Sequence, residues 1–348
     1  MRGLSSRKPG QPELIEFPEP ELGVGEVILA PTVCGICSTD VKMATRGESD
    51  ARYALGHEVA GEIIDVHPSS KWSVGQRVVA APYLPCGSCV YCHSGQVTLC
   101  PDLFKNSIVP GGLAERVYIP AAIAERGLFL VPEGLSDEVA ALTEPLGCVL
   151  KGLEDTPVAA GDSVLVIGDG PMGLLMAAAA RMRGAWPVIV AGMTSHRLAV
   201  AEGKFADVVI DVSRSELRSS VDRHTQDRGA DVVFVVVPSG EALASGIQGV
   251  RAGGAVNAFA GVPPGTTVEL DLRKLHYEQY HLTGSFGVGP AHMAKALRFL
   301  ESGRIDVSPI ITARFSFEEA SDAVAYAAKR TGLKAVVLFG SRGGGPDE

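Results

Sequence analysis

Residues 163–173 read Ser-Val-Leu-Val-Ile-Gly-Asp-Gly-Pro-Met-Gly, a short apolar run that leads into a Gly-x-Gly-x-x-Gly turn. The run Ser163–Ile167 predicts a buried β-strand, and Met172–Met182 predicts a helix. Between a strand and a helix, such glycines permit a tight turn and let the backbone approach a pyrophosphate closely. The N-terminus of the following helix favours the negative charge of that pyrophosphate. A helix-capping turn of an ordinary α/β domain is the alternative that these residues alone leave open.

Downstream of this turn, segments of strand character alternate with segments long enough to form helices. The apolar run Pro187–Ala191 predicts the next strand, and a helix is expected from Ser195 to Glu202. This alternation is typical of a doubly wound parallel sheet, because each parallel strand needs a crossover connection before the next one begins. Three further strands are predicted in this part of the chain, at Val208–Asp211, Asp231–Val237 and Ala255–Ala260.

The end of the second predicted strand bears on the choice of dinucleotide. NAD-dependent proteins usually have an acid about 20 residues beyond the glycines, where it binds the ribose hydroxyls. Gly192 stands at that place instead of an acid. The hydroxyls of Thr194 and Ser195 and the guanidinium of Arg197 could donate hydrogen bonds to a 2′-phosphate. The sequence therefore favours NADP over NAD, although an arginine beside the adenine is compatible with either. The predicted cofactor-binding residues are Gly168, Gly170, Pro171, Met172, Gly173, Gly192, Thr194, Ser195 and Arg197.

Residues 1–152 have a different character, with many glycines and prolines and short apolar runs such as Glu26–Ala30, Glu62–Val66 and Arg77–Ala81. These runs predict an irregular, mostly antiparallel β-domain. We expect residues 290–348 to complete that domain and residues 153–289 to form an inserted dinucleotide-binding domain. The C-terminal part predicts helices at Pro290–Ser302 and Phe317–Lys329, strands at Ile305–Phe315 and Lys334–Phe339, and a disordered tail at Gly343–Glu348.

The composition is that of an ordinary globular protein. Of the 348 residues, 46% are hydrophobic and 20% are charged, which is enough apolar material for a core without disulfides. The formal net charge of −9 argues against a broadly basic surface for nucleic acid. We find no secretory leader and no apolar run of about 18 residues that would span a membrane, so a cytoplasmic location is expected. In a reducing compartment the seven cysteines are expected to be thiols or metal ligands.

Four cysteines close together in the chain predict a metal site. Cys86, Cys89, Cys92 and Cys100 follow the pattern C-x2-C-x2-C-x7-C on a loop that contains glycines. Four thiolates can close tetrahedrally around zinc at roughly 2.3 Å, which leaves no position for a substrate. We therefore expect a structural zinc that stabilises a loop with no core of its own. An iron–sulfur cluster uses similar spacing, and scattered buried thiols are the other alternative.

Three residues of different types predict a second metal site. Cys37, His57 and Glu144 offer a thiolate, an imidazole and a carboxylate, which suit a catalytic zinc with one position open for water or a substrate oxygen. Each residue also has an ordinary interpretation. A single cysteine is often a small core residue, and a histidine is often structural. A glutamate in the first turn of a helix is stabilised by the helix dipole. Sequence separation alone leaves open whether the three converge.

Together these motifs resemble those of the zinc-containing medium-chain alcohol dehydrogenase superfamily, and most of all its polyol (sorbitol-type) and threonine dehydrogenase branches. The sequences C-G-I-C-S-T-D, G-H-E, the four-cysteine lobe, E-P-L and G-D-G-P-M-G occur in the family's order and spacing over nearly the whole chain. The resemblance implies an α/β protein with a GroES-like catalytic domain and a Rossmann domain. It also implies two zinc ions and a homodimer or homotetramer, for which Ala255–Val262 and Leu282–Gly287 are candidate interface strands at the edge of the cofactor domain.

The resemblance identifies the ligands of the predicted catalytic zinc. Cys37, and not Cys34, matches the first ligand, because the family ligand directly precedes a small residue, a Thr or Ser, and an Asp. His57 matches the second ligand. Glu144 matches the third, which is a cysteine in liver-type enzymes and a glutamate in polyol-type ones.

Further residues of the catalytic centre are implied in the same way. Glu58 matches a nearby acid that lies beside the zinc or exchanges into its coordination sphere. Asp40 matches the acid that orients the histidine ligand. Thr39 matches the hydroxyl that takes the proton of the alcohol. Lys42 stands where liver-type enzymes have a histidine that completes the proton relay, so the last step of the relay is expected to differ here.

The activity implied by the resemblance is hydride transfer from a secondary alcohol of a polyol, sugar or cyclitol to NAD(P). A threonine-like amino alcohol, or an aminocyclitol of antibiotic biosynthesis, is the alternative substrate. Zinc-free quinone or enoyl reductases share the fold, but Cys37, His57, Glu144 and the full cysteine lobe argue against that class. A non-catalytic protein on the same fold would be favoured by loss of a zinc ligand or of the glycine turn, and neither is lost. We expect a small-molecule substrate, and neither nucleic acid nor a membrane as a partner.

Overall fold

The computed structural model describes residues 1–19, 21–47 and 53–340. The tail predicted at Gly343–Glu348 lies outside these residues. Within the described ranges, no helix is long and apolar enough to cross a bilayer.

The described part of the chain contains the following regular elements. The strands are β1 (Arg2–Lys8), β2 (Gln11–Glu16), β3 (Val27–Gly35), β4 (Glu58–Val66), β5 (Arg77–Ala80), β6 (Tyr83–Leu84), β7 (Asn106–Ser107), β8 (Val117–Ile119), β9 (Leu128–Leu130), β10 (Val164–Ile167), β11 (Val188–Gly192), β12 (Val208–Asp211), β13 (Ala230–Val235), β14 (Val250–Ala258), β15 (His281–Gly284), β16 (Ile311–Ser316) and β17 (Lys334–Leu338). The α-helices are α1 (Ser38–Arg46), α2 (Val90–His93), α3 (Ala121–Arg126), α4 (Asp137–Ala140), α5 (Thr143–Asp155), α6 (Pro171–Met182), α7 (Ser195–Ala201), α8 (Leu217–His224), α9 (Gly240–Gly249), α10 (Leu272–Glu278), α11 (Pro290–Glu301) and α12 (Ala320–Lys329). Short 3₁₀-helices occur at Val97–Leu99, Ser308–Ile310 and Phe317–Glu319.

These elements divide into two compact units. The first contains Met1–Glu144 and the chain from Val288 onward, and the second contains Pro145–Gly287. The sequence places the two boundaries near residues 152 and 290, whereas the first boundary falls earlier, inside helix α5. A Cβ on Gly152 of this helix would approach the Phe259 ring to 2.9 Å, so this part of α5 packs within the second unit.

The second unit is built on a six-stranded sheet with the order β12-β11-β10-β13-β14-β15. All neighbouring strands in it are parallel. Strands β10, β11 and nearly all of β13 are buried, which explains their continuous Val, Ile and Leu runs. The order reverses between β10 and β13, so the carboxyl ends of these strands form the switch point at which doubly wound sheets bind ligands. The predicted parallel fold is confirmed.

The first unit is built on a mostly antiparallel sheet. Its order is β16-β17-β3-β4-β5-β9, with β8 also paired to β3, and the pair β16–β17 is parallel. Large apolar side chains from several of these strands form its core, among them Leu29, Ile63, Val78, Ile119 and Val337. The predicted β-rich domain is therefore confirmed as well.

Several predicted elements differ from those observed. The predicted strand Ile305–Phe315 begins only at Ile311, because Pro309, which has no N–H to donate, lies in a 3₁₀-turn just before it. The segment Ala255–Val262 was predicted to lie at the edge of the sheet, but β14 has neighbours on both sides and β15 forms the edge. Helix α1 was not predicted, because it is short and only Asp40 and Ala44 among its residues are buried.

Candidate metal and cofactor sites

The four predicted cysteine ligands converge. The sulfur atoms of Cys86, Cys89, Cys92 and Cys100 all lie within 4.8 Å of one another. The Cys86–Cys92 and Cys89–Cys92 sulfur distances are 3.9 and 3.5 Å. In a tetrahedron with metal–sulfur bonds of roughly 2.3 Å the sulfurs are about 3.8 Å apart. The spacing therefore fits one tetrahedral ion, and it is too tight to enclose the several irons of a cluster.

Local backbone structure produces this arrangement. The single turn α2 and the 3₁₀-turn Val97–Leu99 reverse the chain between the ligands, and Gly87 and Gly95 adopt φ values of +82° and +81° that other residues rarely adopt. Hydrogen bonds from the N–H and hydroxyl of Ser88 lower the pKa of Cys86 to about 6. A thiolate at this position suits a metal ion, since the thiolate is the ligand form of cysteine.

The second metal centre joins two neighbouring strand ends of the first unit. Cys37 directly precedes α1, while His57 and Glu58 lie at the start of β4, and one ligand atom of each lies within 4.8 Å of the other two. The antiparallel pairing of β3 with β4 sets Gly35 opposite Glu58 and so brings these segments together. A Cβ on Gly35 would collide with the Glu58 carboxylate at 2.1 Å, so this position needs glycine.

Asp40 orients the histidine of this centre. Its buried carboxylate accepts hydrogen bonds from the N–H groups of Cys37 at 2.8 Å and Gly56 at 2.9 Å, and Oδ1 lies 3.4 Å from Nδ1 of His57. Burial raises the pKa of Asp40, but His57 and the two N–H groups outweigh it and lower that pKa. Burial lowers the pKa of His57, but the charges of Asp40 and Cys37 raise it well above its usual value. Histidine ligands commonly use the ring nitrogen that does not face the carboxylate.

A buried lysine that the sequence analysis missed lies beside Glu58. Lys334 Nζ donates to both carboxylate oxygens of Glu58, at 2.7 and 2.8 Å, and to the carbonyl oxygen of Ile36 at 3.1 Å. Only 3% of Lys334 and none of Glu58 is exposed. Burial lowers the pKa of Lys334, but the charges of Glu58, Cys37 and Glu144 raise it, so the lysine stays cationic. Its only signal in the sequence is a lysine at the head of the apolar run Lys-Ala-Val-Val-Leu.

The remaining predicted catalytic residues take different positions. Glu144 is buried in the first turn of α5, and its charge acts on Lys334, but it is not part of the three-residue group within 4.8 Å. Thr39 is exposed as the second residue of α1, and Lys42 is exposed on the same helix. Burial and the nearby acids raise the pKa of Cys34 well above its usual value, in keeping with a thiol that takes no metal.

The glycine turn of the second unit has the shape that a pyrophosphate needs. A Cβ on Gly173 would lie 1.9 Å from the carbonyl oxygen of Gly168, whose own φ is +135°. A Cβ on Gly170 would meet nothing within 4 Å, so there is open space at the N-terminus of α6. Pro171 begins this helix, where its missing N–H removes no hydrogen bond. These residues therefore fit a dinucleotide phosphate.

The structure corrects the prediction that no carboxylate lies at the end of β11. The Oδ2 atom of Asp169, the second residue of the glycine turn, accepts hydrogen bonds from the N–H groups of Met193 at 3.0 Å and Thr194 at 2.8 Å. A Cβ on Gly192 would lie 2.4 Å from both Cβ and Oδ2 of Asp169, so Gly192 leaves no free space. Arg197 is buried, with Nη1 3.6 Å from Asp169 Oδ1. Ser195 is exposed at the start of α7.

Known proteins are similar to this chain in sequence and in fold. Residues 23–132 match the alcohol dehydrogenase GroES-like domain, and residues 171–302 match the zinc-binding dehydrogenase model. A sorbitol dehydrogenase of Bacillus subtilis is 31% identical over 314 residues, 88% of each chain. An L-threonine 3-dehydrogenase of Pyrococcus horikoshii is 31% identical over 355 residues, 97% of this chain and 98% of the relative. A zinc-binding dehydrogenase of Sinorhizobium meliloti, solved with NADP bound, is 28% identical with a TM-score of 0.89, covering 97% of this chain and 98% of the other.

The fold and the sites thus define a zinc-binding dehydrogenase with a GroES-like domain and a Rossmann domain. The chain belongs to the zinc-containing medium-chain alcohol dehydrogenase superfamily, in its polyol and threonine dehydrogenase branch. It is an oxidoreductase that acts on a small molecule. This membership favours a zinc enzyme over the zinc-free reductase and the non-catalytic protein considered from the sequence.

Proposed function

We propose that this enzyme oxidises a secondary alcohol of a polyol, sugar or cyclitol and transfers the hydride to a nicotinamide dinucleotide. The observation that carries the proposal is the convergence of Cys37, His57 and Glu58, a metal-binding group with a histidine already oriented by Asp40. The open space at Gly170 supports dinucleotide binding. The 31% identity to a sorbitol dehydrogenase over 88% of the chain supports a polyol-like substrate.

Cys37 and His57 would hold the catalytic zinc, with Glu144 as the third protein ligand and Glu58 as an exchanging one. Zinc bound there supplies Lewis acidity, which lowers the pKa of an alcohol. The chain's own residues prepare the reaction: Asp40 fixes the tautomer of His57, and Lys334 balances the buried charge of Glu58. The hydroxyl of Thr39, two residues after Cys37 and exposed, takes the proton of the alcohol and passes it towards solvent.

A second zinc, held by Cys86, Cys89, Cys92 and Cys100, has a structural role in this proposal. Four sulfurs that all lie within 4.8 Å of one another fill a tetrahedral shell and leave no position for a substrate. Each chain would then contain two zinc ions, one in each centre. The assembly we propose is a homodimer or homotetramer, with the edge strand β15 as the candidate contact.

One alternative substrate and the choice of dinucleotide belong to the same proposal. The L-threonine 3-dehydrogenase that matches 97% of this chain favours a threonine-like amino alcohol as the second candidate. The relative solved with NADP supports the dinucleotide favoured from the sequence. The carboxylate of Asp169 at the end of β11 argues instead for NAD, because it would repel a 2′-phosphate.

The first test combines metal analysis with turnover. Pure enzyme should contain about two zinc ions per chain, and it should reduce NAD or NADP with at least one member of a panel of polyols, cyclitols, sugars and L-threonine. Cys37→Ser should lose one zinc and all measurable turnover, while its thermal unfolding and circular dichroism show a retained fold. Cys34→Ala, three residues earlier in the chain, should keep both zinc ions and the activity. Wild-type enzyme that contains no zinc and gains no activity from added zinc would overturn the proposal.

A further inference from the structure

We infer that Asp169 replaces the acid that other NAD enzymes carry at the end of the second strand, and that it makes this enzyme select NAD over NADP. The inference rests on the proposed function, because it needs a dinucleotide in the glycine turn. It concerns a residue at the second position of the Gly-x-Gly-x-x-Gly pattern, a place that the pattern itself leaves unspecified.

The position of the carboxylate is the first argument. In NAD enzymes the selective acid stands at the end of the strand that follows the glycine helix, where it accepts hydrogen bonds from the ribose hydroxyls. Gly192 ends the corresponding strand, β11, and the space that its side chain would occupy is filled by Cβ, Cγ and Oδ2 of Asp169, at 2.4 to 2.6 Å from an added Cβ. Asp169 thus brings a carboxylate to the usual place from a different element.

The hydrogen bonds of this carboxylate are the second argument. Oδ2 accepts from the N–H groups of Met193 and Thr194, which fixes the orientation of the side chain. Oδ1 lies 3.6 Å from Arg197 Nη1, beyond hydrogen-bond distance, so this oxygen can accept from a ribose hydroxyl. Asp169 is 8% exposed, so its charge acts in a poorly hydrated environment.

The charges explain why a 2′-phosphate is disfavoured. The carboxylate would repel a phosphate at the position where it accepts from a hydroxyl. Arg197, which the sequence assigns to that phosphate, is buried and faces Asp169, so its charge already compensates the buried acid. Binding NADP would therefore place a second anion against a cation that is already paired.

A purely structural role for Asp169 makes a different prediction. If its carboxylate only holds the turn from Gly192 to Thr194, its loss should weaken NAD and NADP binding by the same factor. If it reads the ribose, the ratio of the two dissociation constants should change. Asp169→Asn separates the two roles, because the amide oxygen can still accept from the two N–H groups while the negative charge is lost.

The experiment measures the dissociation constants of NAD and NADP by isothermal titration calorimetry on the zinc-loaded enzyme, without substrate. Wild type should bind NAD more tightly than NADP, and Asp169→Asn should move the ratio towards NADP by about 10- to 100-fold, the value of one charge-assisted hydrogen bond. Asp211→Asn is the matched control, since Asp211 ends the neighbouring strand β12 and also holds its own turn, through the Ser213 N–H at 3.0 Å. That variant should leave the ratio unchanged.

A double variant tests the replacement directly. Asp169→Gly combined with Gly192→Asp removes the Asp169 side chain, which blocks position 192, and returns the acid to the usual position, so NAD selectivity should reappear. Gly192→Asp alone should damage the site, because its Cβ meets Asp169. A wild type that prefers NADP, or an Asp169→Asn ratio within twofold of wild type, overturns the inference and leaves the proposed function standing. Wild type that binds neither dinucleotide overturns both.

Discussion

At the level of single residues, three buried carboxylates lie in the candidate sites, and each of them has its own partners. Asp40 accepts two backbone N–H groups and faces His57, Glu58 is paired with Lys334, and Asp169 accepts two further N–H groups. A buried charge without such partners would cost several kcal/mol or would take up a proton. Here each carboxylate has such partners, at the two places where a cation or a ribose is expected.

The cysteine lobe gives a prediction at the same scale. Cys89→Ser should cost the lobe its zinc and lower the melting temperature, while protein that remains folded keeps measurable turnover. The reason is that the lobe has little core of its own: Val90, Tyr91 and Leu99 are all exposed, so the metal replaces apolar packing. Zinc content and thermal unfolding are the measurements. Cys148→Ser is the control, because Cys148 belongs neither to the four-cysteine group nor to the group of Cys37, His57 and Glu58. This variant should keep both zinc ions. An unchanged melting temperature in Cys89→Ser would show that the lobe is stable without zinc.

At the level of elements, strand β3 organises the candidate catalytic centre, because β4 and β17 lie on either side of it in the sheet order. Glu58 opens β4 and Lys334 opens β17, so the pair joins two strands that make no backbone hydrogen bonds with each other. The salt bridge is therefore part of the packing of the sheet and of the surroundings of the candidate metal site. Removing one partner leaves a buried charge uncompensated.

Lys334→Met tests the energetic role of this pair. It should lower the free energy of unfolding by about 3–5 kcal/mol, the usual cost of breaking a buried ion pair from one side. Denaturant unfolding of the zinc-loaded enzyme measures it, with Lys334→Arg as the control that retains a cation. Adding Glu58→Gln to Lys334→Met should recover part of the loss, since no full charge then remains. A loss below about 1 kcal/mol in Lys334→Met would show that water or a proton compensates Glu58 instead.

At the scale of the whole molecule, the parallel sheet ends in a strand that is suited to association. Strand β15 has a neighbour only on the β14 side within the described residues, and Leu282 on it is 41% exposed. An exposed edge strand with an apolar side chain pairs readily with another chain. We therefore expect a homo-oligomer in solution that contacts through this edge.

Light scattering coupled to size exclusion measures the assembly. Wild type should have the mass of a dimer or tetramer, and Leu282→Lys should shift it towards the monomer, because a charge on an edge strand opposes pairing. Leu130→Lys is the matched control, since Leu130 is 52% exposed at the end of the edge strand β9 of the first unit. A monomeric wild type at working concentration would contradict the predicted homo-oligomer. Equal effects of the two substitutions would show that the contact is not formed by strand β15.

Features that depend on neighbours in the chain could be predicted from the amino-acid sequence. The glycine turn, the alternation of buried strands with helices and the four cysteine ligands were all predicted, because a turn, a strand or a metal loop is specified by residues a few positions apart. The family motifs added Cys37 and His57 as ligands of one metal, and the structure brings both into one group with Glu58. Helix α1 escaped prediction, since it is short and only two of its residues, Asp40 and Ala44, are buried.

Which distant side chains share a buried volume became clear only from the folded chain. Lys334 and Glu58 are 276 residues apart and meet because two strands flank a third. Asp169 fills the space beside Gly192 because parallel strands β10 and β11 end side by side, so an acid in one turn can act at the end of the next strand. Gly192 has no side chain of its own, but the side chain of Asp169 occupies the space beside it. Burial and charge pairing are properties of the packed volume, and the spacing of residues along a chain does not contain them.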